Sequence, residues 1–350
     1  MPDISSLSAW FALPVFVGAA VVVWFSGARI TKYADIISEK TGIGQAVLGV
    51  LMLGGITSLP EVAVALTSSI SGDAALAVNS VLGGVAMQVT ILAVADAFIG
   101  RQALTSVVPN SVVMVQAGLK ILLLSIVAAA IMTGDIPVLG AGLWMWLLLL
   151  TTGTSLYILA RTQKRSAWKI NPNANDGVLP DSEAEKREKK EKDQSLRSAM
   201  IGAITTGIII VISGYALSRS ADVIAESTGL GQSFVGAVFL AISTSLPEVS
   251  TVFTAMRGGL YTLAISDIFG TNLFDIGLLF FVDITGGSEA VMNEIGAFSG
   301  FATLLGSVVT AIFLIGLAER NDKTIFRMGY DSAVVLVTYF GGLVVLYFLK

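Results

Sequence analysis

Two glutamates stand where a glutamate is hardest to place. Glu61 and Glu248 each close a Thr-Ser-Leu-Pro-Glu pentapeptide inside an otherwise apolar run, GIGQAVLGVLMLGGITSLPEV over 42–62 and GLGQSFVGAVFLAISTSLPEV over 229–249. A carboxylate near the centre of a bilayer costs on the order of 3 kcal/mol even on the lenient insertion scale. Two of them at matched positions ask for a compensating cation more readily than for an accident of helix packing. On a helix, Thr57 and Ser58 lie four and three residues before Glu61 and share its face, and Thr244, Ser245 and Glu248 repeat the arrangement. Pro60 and Pro247 have no N–H, so the carbonyls of Ile56 and Ser243 lose their helical partners and both helices are expected to kink. Carboxylate, hydroxyl and freed carbonyl oxygens together form the donor set of a hard cation; calcium takes six to eight such oxygens at about 2.4 Å. Sodium, of similar size, uses the same chemistry with less charge.

The next apolar run in each half supplies further candidates. Asp267 lies in AISDIFGTNLFDIG, patterned as buried, and is expected to coordinate an ion; in the matching stretch AVNSVLGGVAMQ its place is taken by Ser80. Asp275 follows eight residues later on roughly the same face, with Gln88 as its counterpart; an access-path residue and a helix–helix hydrogen bond are equally good readings of it. Asp96 and Asp283 also match each other, but near span ends, and are expected to be interfacial. Lys120 falls inside a span, where a structural pairing with an acid is the favoured reading.

These residues need a scaffold of membrane helices. The chain of 350 residues is 54% apolar and only 13% charged, against roughly 25% charged in a soluble domain. Ten apolar segments emerge, near 9–28, 43–70, 74–99, 108–132, 137–160, 199–218, 230–256, 260–282, 294–317 and 330–349. From Ser26 to Glu61, 17 of 36 residues are identical to the residue 187 positions on, which marks an internal duplication. Five spans per copy force the second copy to enter from the opposite side. The fold class expected is therefore all-α and integral to the membrane: ten transmembrane helices as two inverted-topology repeats of five, residues 1–160 and 199–350, joined by a hydrophilic cytoplasmic linker at 161–198. Of the Lys and Arg residues outside spans, 18 fall in the loops after odd-numbered spans and only Arg219 and Lys350 on the other side. That bias puts both termini outside the cytoplasm. MPDISSLSAW lacks a basic leader and a small-residue cleavage site, so residues 9–26 read as a retained span.

With no cysteine and no histidine, thiolate chemistry and the commonest proton relay are excluded. No nucleotide motif, nucleophile constellation or cofactor signature is present, so the chain is not read as an enzyme.

At the paired T-S-L-P-E motifs the chain resembles the sodium/calcium exchanger branch of the calcium/cation antiporter superfamily. That family has two inverted halves of five helices, each carrying G-T-S-x-P-E followed by N/D-x-x-G-S-N, and the resemblance covers nearly the whole chain. It implies that Glu61 and Glu248 bind Ca2+ and Na+, that Asp267 and Ser80 help form the central and flanking Na+ sites, and that Ser58 and Ser245 offer hydroxyls. It also implies backbone carbonyl ligands from Thr57 and Thr244, and from Gly54 and Ala241 at outer Na+ sites. The chain departs from the pattern: Ile56 and Ser243 replace the glycine before T-S, Gly83-Gly84-Val85 and Gly270-Thr271-Asn272 replace G-S-N, and Ser80 replaces an asparagine.

The function expected is Ca2+/Na+ antiport by alternating access, with no cofactor. One Ca2+ or several Na+ neutralise the carboxylates, but not both sets together. The spans at 9–28 and 199–218 are expected to move past a fixed core, with Gly27 and Gly214 as hinges. A proton- or K+-coupled exchanger, or one for Mg2+, keeps the fold and changes the ions; a channel would use the carboxylates as a selectivity ring. The partners expected are these ions and the lipid of a prokaryotic inner membrane, with no nucleic acid; a monomer is compatible with the sequence, which leaves dimerisation open.

Overall fold

The computed structural model describes residues 9–41, 58–98, 103–108, 111–162, 195–257, 261–287, 290–320 and 323–350. Gly54, Thr57 and most of the 161–198 segment lie outside them. The first half contains α1 (Ala9–Thr41), α2 (Leu59–Ile70), α3 (Ala74–Asp96), the short α4 (Leu104–Val107), α5 (Ser111–Thr133), a hairpin of β1 (Pro137–Val138) and β2 (Ala141–Gly142), and α6 (Leu143–Thr162). The second half follows with α7 (Leu196–Thr228), α8 (Gln232–Val235), a π-helical turn at Gly236–Leu240, α9 (Ala241–Thr244), α10 (Leu246–Arg257) and α11 (Tyr261–Thr285). A 3-10 turn (Val291–Asn293), α12 (Ala297–Glu319), the hairpin β3 (Thr324–Ile325) and β4 (Met328–Gly329), and α13 (Tyr330–Leu349) complete it.

Among the described residues eight helices are long and apolar enough to cross a membrane. The bent run Gln232–Arg257 makes a ninth, and Leu59–Ile70 is a shorter apolar helix. The 187-residue offset reaches far beyond the motif that revealed it. The bounds of α1, α2, both strands of the first hairpin and α6 recur 187 residues later as those of α7, α10, the second hairpin and α13.

Three boundaries differ from the sequence expectation. α1 and α7 run on to Thr41 and Thr228, well past the apolar segments, because SGARITKYADIISEKT and SGYALSRSADVIAEST contain no proline to stop them. The second stops at Gly229, whose φ of +66° suits glycine. The span expected from 137 begins only at Leu143, since 137–142 is a hairpin. Its turn residues Leu139 and Gly140 both have positive φ, as do Phe326 and Arg327 in the second hairpin. Positive φ at both central residues matches the twist of the flanking strands, but Leu, Phe and Arg carry no composition signal for it.

α3 forms the centre. It is apolar and buried around nearly its whole circumference, the pattern of a helix inside a bundle. It packs against α2, α11, α12, α13 and the π turn. α1 and α7 lie along one another at one side, with Trp10, Phe11, Phe25, Ile201, Ile204 and Ile208 exposed as a lipid-facing surface. Gly27 and Gly214 do not act as breaks, since both sit inside continuous helix. They are points of close approach instead: a Cβ at Gly27 would overlap the Pro247 ring, and one at Gly214 would overlap Ala63.

Asp96 and Asp283 lie at or near the ends of their helices, as the sequence places them, and their side chains are buried within the protein. Asp96 accepts the backbone N–H of Leu104 (2.7 Å) and of Gly329 (2.7 Å). Asp283 accepts those of Val291 (2.6 Å) and Gly142 (2.6 Å). Every residue in the second latch is the 187-offset partner of one in the first. Each aspartate therefore grips a turn from its own half and a hairpin from the other.

Candidate cation site

Residues 58–61 and 244–248 of the two motifs meet inside the bundle. Ser58 precedes α2 with φ −79° and ψ 7°. Ser245 precedes α10 with φ −81° and ψ 6°. This shared departure from helical ψ follows from the prolines two residues on, and it bends the second segment by 47°. Each glutamate then falls in the first turn of a new helix that starts inside the molecule. Free N–H groups and the positive end of the helix dipole face such a position, which favours negative charge there.

Glu61 is 4% exposed, Glu248 1% and Asp275 2%. Electrostatic coupling links Glu61 to Glu248 and to Asp275, and Glu248 to Asp275. All six oxygens of these carboxylates are buried with no hydrogen-bond partner. Ser58 and Gln88 flank Asp275, and Thr244 flanks Glu61, none in bonding geometry. Ser58 Oγ and both side-chain polar atoms of Asn272 are likewise buried and unpartnered. Gln88 donates to Ser245 Oγ at 3.3 Å, and its own carbonyl oxygen is left bare. An unmade bond on a buried polar group costs about 1–3 kcal/mol, and more on a charge. Bare oxygens are thus gathered at two helix starts, and they are of the donor types that hard cations take. Among the described residues no three acidic groups close on a single point as a three-carboxylate metal cage requires. Hydroxyl, amide and carbonyl oxygens must therefore complete any coordination shell here.

The other candidates from the sequence fall around this centre. Asp267 is half-buried, two helical turns from Asp275 on α11. It accepts from Thr251 Oγ1 at 3.1 Å, a hydroxyl that also reaches the Glu248 carbonyl at 3.0 Å. Asp267 is thus tied to the backbone beside Glu248 and feels its charge. Ser80 donates to its own helix at Ala77 O, 2.8 Å, and its backbone backs the π turn at Gly236. The Ala241 carbonyl accepts the Ser245 N–H at 3.1 Å. Lys120 is fully buried; its ammonium donates to the Val85 carbonyl at 2.9 Å, lies 5.6 Å from the centre of the Phe269 ring, and is coupled to Asp275.

The family model described as sodium/calcium exchanger protein matches residues 11–169 and 198–349. The inner membrane protein YrbG of Escherichia coli (strain K12) is 26% identical over 264 residues, 75% of each chain. Among solved structures, the H+/Ca2+ exchanger CAX superposes with a TM-score of 0.69 at 10% identity, over 97% of this chain and 86% of that one. The sodium-calcium exchanger NCX_Mj superposes with a TM-score of 0.60 at 14% identity, over 96% of this chain and 99% of that one. At these identities the structural likeness concerns the fold.

Proposed function

The chain belongs to the sodium/calcium exchanger protein family, and from that premise we propose that it exchanges Ca2+ for Na+ across a prokaryotic inner membrane at the site of Glu61, Glu248 and Asp275. The family consists of ion exchangers, not enzymes; Ca2+ and Na+ are transported substrates and no cofactor takes part. The observation that carries the reading is the set of six bare carboxylate oxygens on α2, α10 and α11. Ser58 beside Asp275 and Thr244 beside Glu61 offer hydroxyl oxygens, and Gln88 beside Asp275 an amide oxygen. Asp267 acts through Thr251 on the Glu248 backbone.

The exchange follows from charge. Empty, the centre holds uncompensated carboxylates and resists reorientation in a low-dielectric bundle. A divalent ion, or monovalent ions in its place, quenches that charge; both together overfill it. Alternating access then needs only movement of the paired α1 and α7 past the remaining helices. The likeness to an H+/Ca2+ exchanger supports a second reading in which protons replace Na+ on the same carboxylates. The ten-helix inverted arrangement, with both termini outside the cytoplasm, rests on the 187-residue offset and the Lys and Arg bias.

The test is radiolabelled Ca2+ uptake into proteoliposomes driven by an outward Na+ or H+ gradient, applied separately. Glu61→Gln and Glu248→Gln are each expected to abolish uptake. Near-normal exchange in either variant would remove the two-glutamate site.

A further inference from the structure

A buried basic side chain lies within electrostatic reach of the proposed cation site. Lys120 projects from the middle of α5, fully buried, where a charged lysine has to be explained. Its ammonium is coordinated: it donates to the Val85 carbonyl at 2.9 Å, faces the Phe269 ring at 5.6 Å, and feels the Asp275 carboxylate. A carbonyl, an aromatic face and a nearby anion each offset part of the cost of burying a positive charge. No carboxylate touches Lys120 within ion-pair distance among the described residues. Asp275 keeps both oxygens bare and so remains able to bind a second, mobile ion. A lysine serving only as an ion-pair partner would consume that carboxylate. Lys120 shares it instead, from behind α3.

Resting on the exchange reading above, we propose that Lys120 is a tethered substitute for one monovalent cation, which fixes the exchange at two monovalent ions for one divalent ion. Three sealed carboxylates against one covalently held ammonium leave a deficit of two charges, with Asp267, half-buried and bonded by Thr251, left outside the count. One Ca2+ fills it, and so do two Na+ or two protons. The exchange is then electroneutral. Without the ammonium the deficit is three, a third monovalent ion is needed, and each cycle moves net charge.

The experiment uses the full chain in proteoliposomes on a solid-supported membrane, with charge displacement and radiolabelled Ca2+ flux recorded on the same preparation. Na+ and H+ serve in turn as the internal monovalent ion. Wild type is expected to pass Ca2+ with no net charge. Lys120→Met is expected to move about one elementary charge per Ca2+ and to gain steeper Na+ dependence, while Lys120→Arg, which keeps the charge, stays silent. Net charge movement by the wild type overturns the proposal, and so does an electroneutral Lys120→Met. The wild-type ratio decides alone if Lys120→Met carries no flux. A wild type that passes no Ca2+ against either gradient sinks the exchange reading itself; one that passes Ca2+ with net charge sinks only the role of Lys120. A lysine that merely braces α5 against α3 would change protein yield or thermal stability and leave the ratio of charge to Ca2+ where it was.

Discussion

Asp275 shows why one carboxylate at the site was hard to find in the sequence while two were easy. Glu61 and Glu248 announce themselves because each repeats the other, within a motif whose proline explains the bend. The 187-offset partner of Asp275 is the neutral Gln88, so the duplication gives no acid pair to notice. Asp267, eight residues earlier, has an equally neutral partner in Ser80 and the same helical face. Pattern alone has no means to rank two acids on one face. Burial and bonding separate them: Asp275 is sealed and bare, Asp267 half-buried and bonded by Thr251. Asp275→Asn is therefore expected to lower Ca2+ affinity by about a hundredfold, as removal of a desolvated charge costs 2–5 kcal/mol. Asp267→Asn, acting through a positioning bond, should cost no more than about tenfold. Calorimetric Ca2+ titration of the purified variants checks the order; equal losses would move Asp267 into the ion's own shell.

Helices α1 and α7 were legible in type but not in length, because their last turns are amphipathic and fall outside any apolar window. Their glycines suggested flexibility, and packing gives a different answer. Gly27 lies against Pro247 and Gly214 against Ala63, so each long helix touches the broken helix of the opposite half within one turn of its glutamate. Any sliding of α1 against α10 must pass the Gly27 contact. Gly27→Ala is expected to destabilise by about 1–3 kcal/mol through overpacking and to slow exchange more than Ca2+ binding. Thermal unfolding beside equilibrium binding and flux separates the two effects. A variant with unchanged flux would show that α1 does not travel along this contact. The hairpins left no legible trace, since each strand has two residues and the turns place Leu, Phe and Arg at positive φ.

At the scale of the whole molecule, the duplication was read from 36 residues yet governs the secondary-structure bounds of both halves. What the sequence did not disclose is how the halves are fastened. Asp96 and Asp283 end apolar runs, which marks a span end but not a fastening; their side chains turn inward there, where four backbone N–H groups need acceptors. Asp96→Asn and Asp283→Asn each place an amide N–H opposite a backbone N–H, with an expected loss of about 1–3 kcal/mol. The two losses should be alike if the latches are equivalent. Thermal melts in detergent, with Ca2+ present and absent, test this; a neutral substitution at either position would mean that its hairpin is held by other contacts.

The latches also impose an order on biosynthesis. Gly142 has already left the ribosome when Asp283 is made, so the second aspartate finds its distant hairpin waiting. Asp96 has no such fortune: the amide it needs belongs to Gly329, 233 residues further along the chain. Until Gly329 has been made one of its oxygens has nothing to hold, and the early half waits for the second hairpin to be finished.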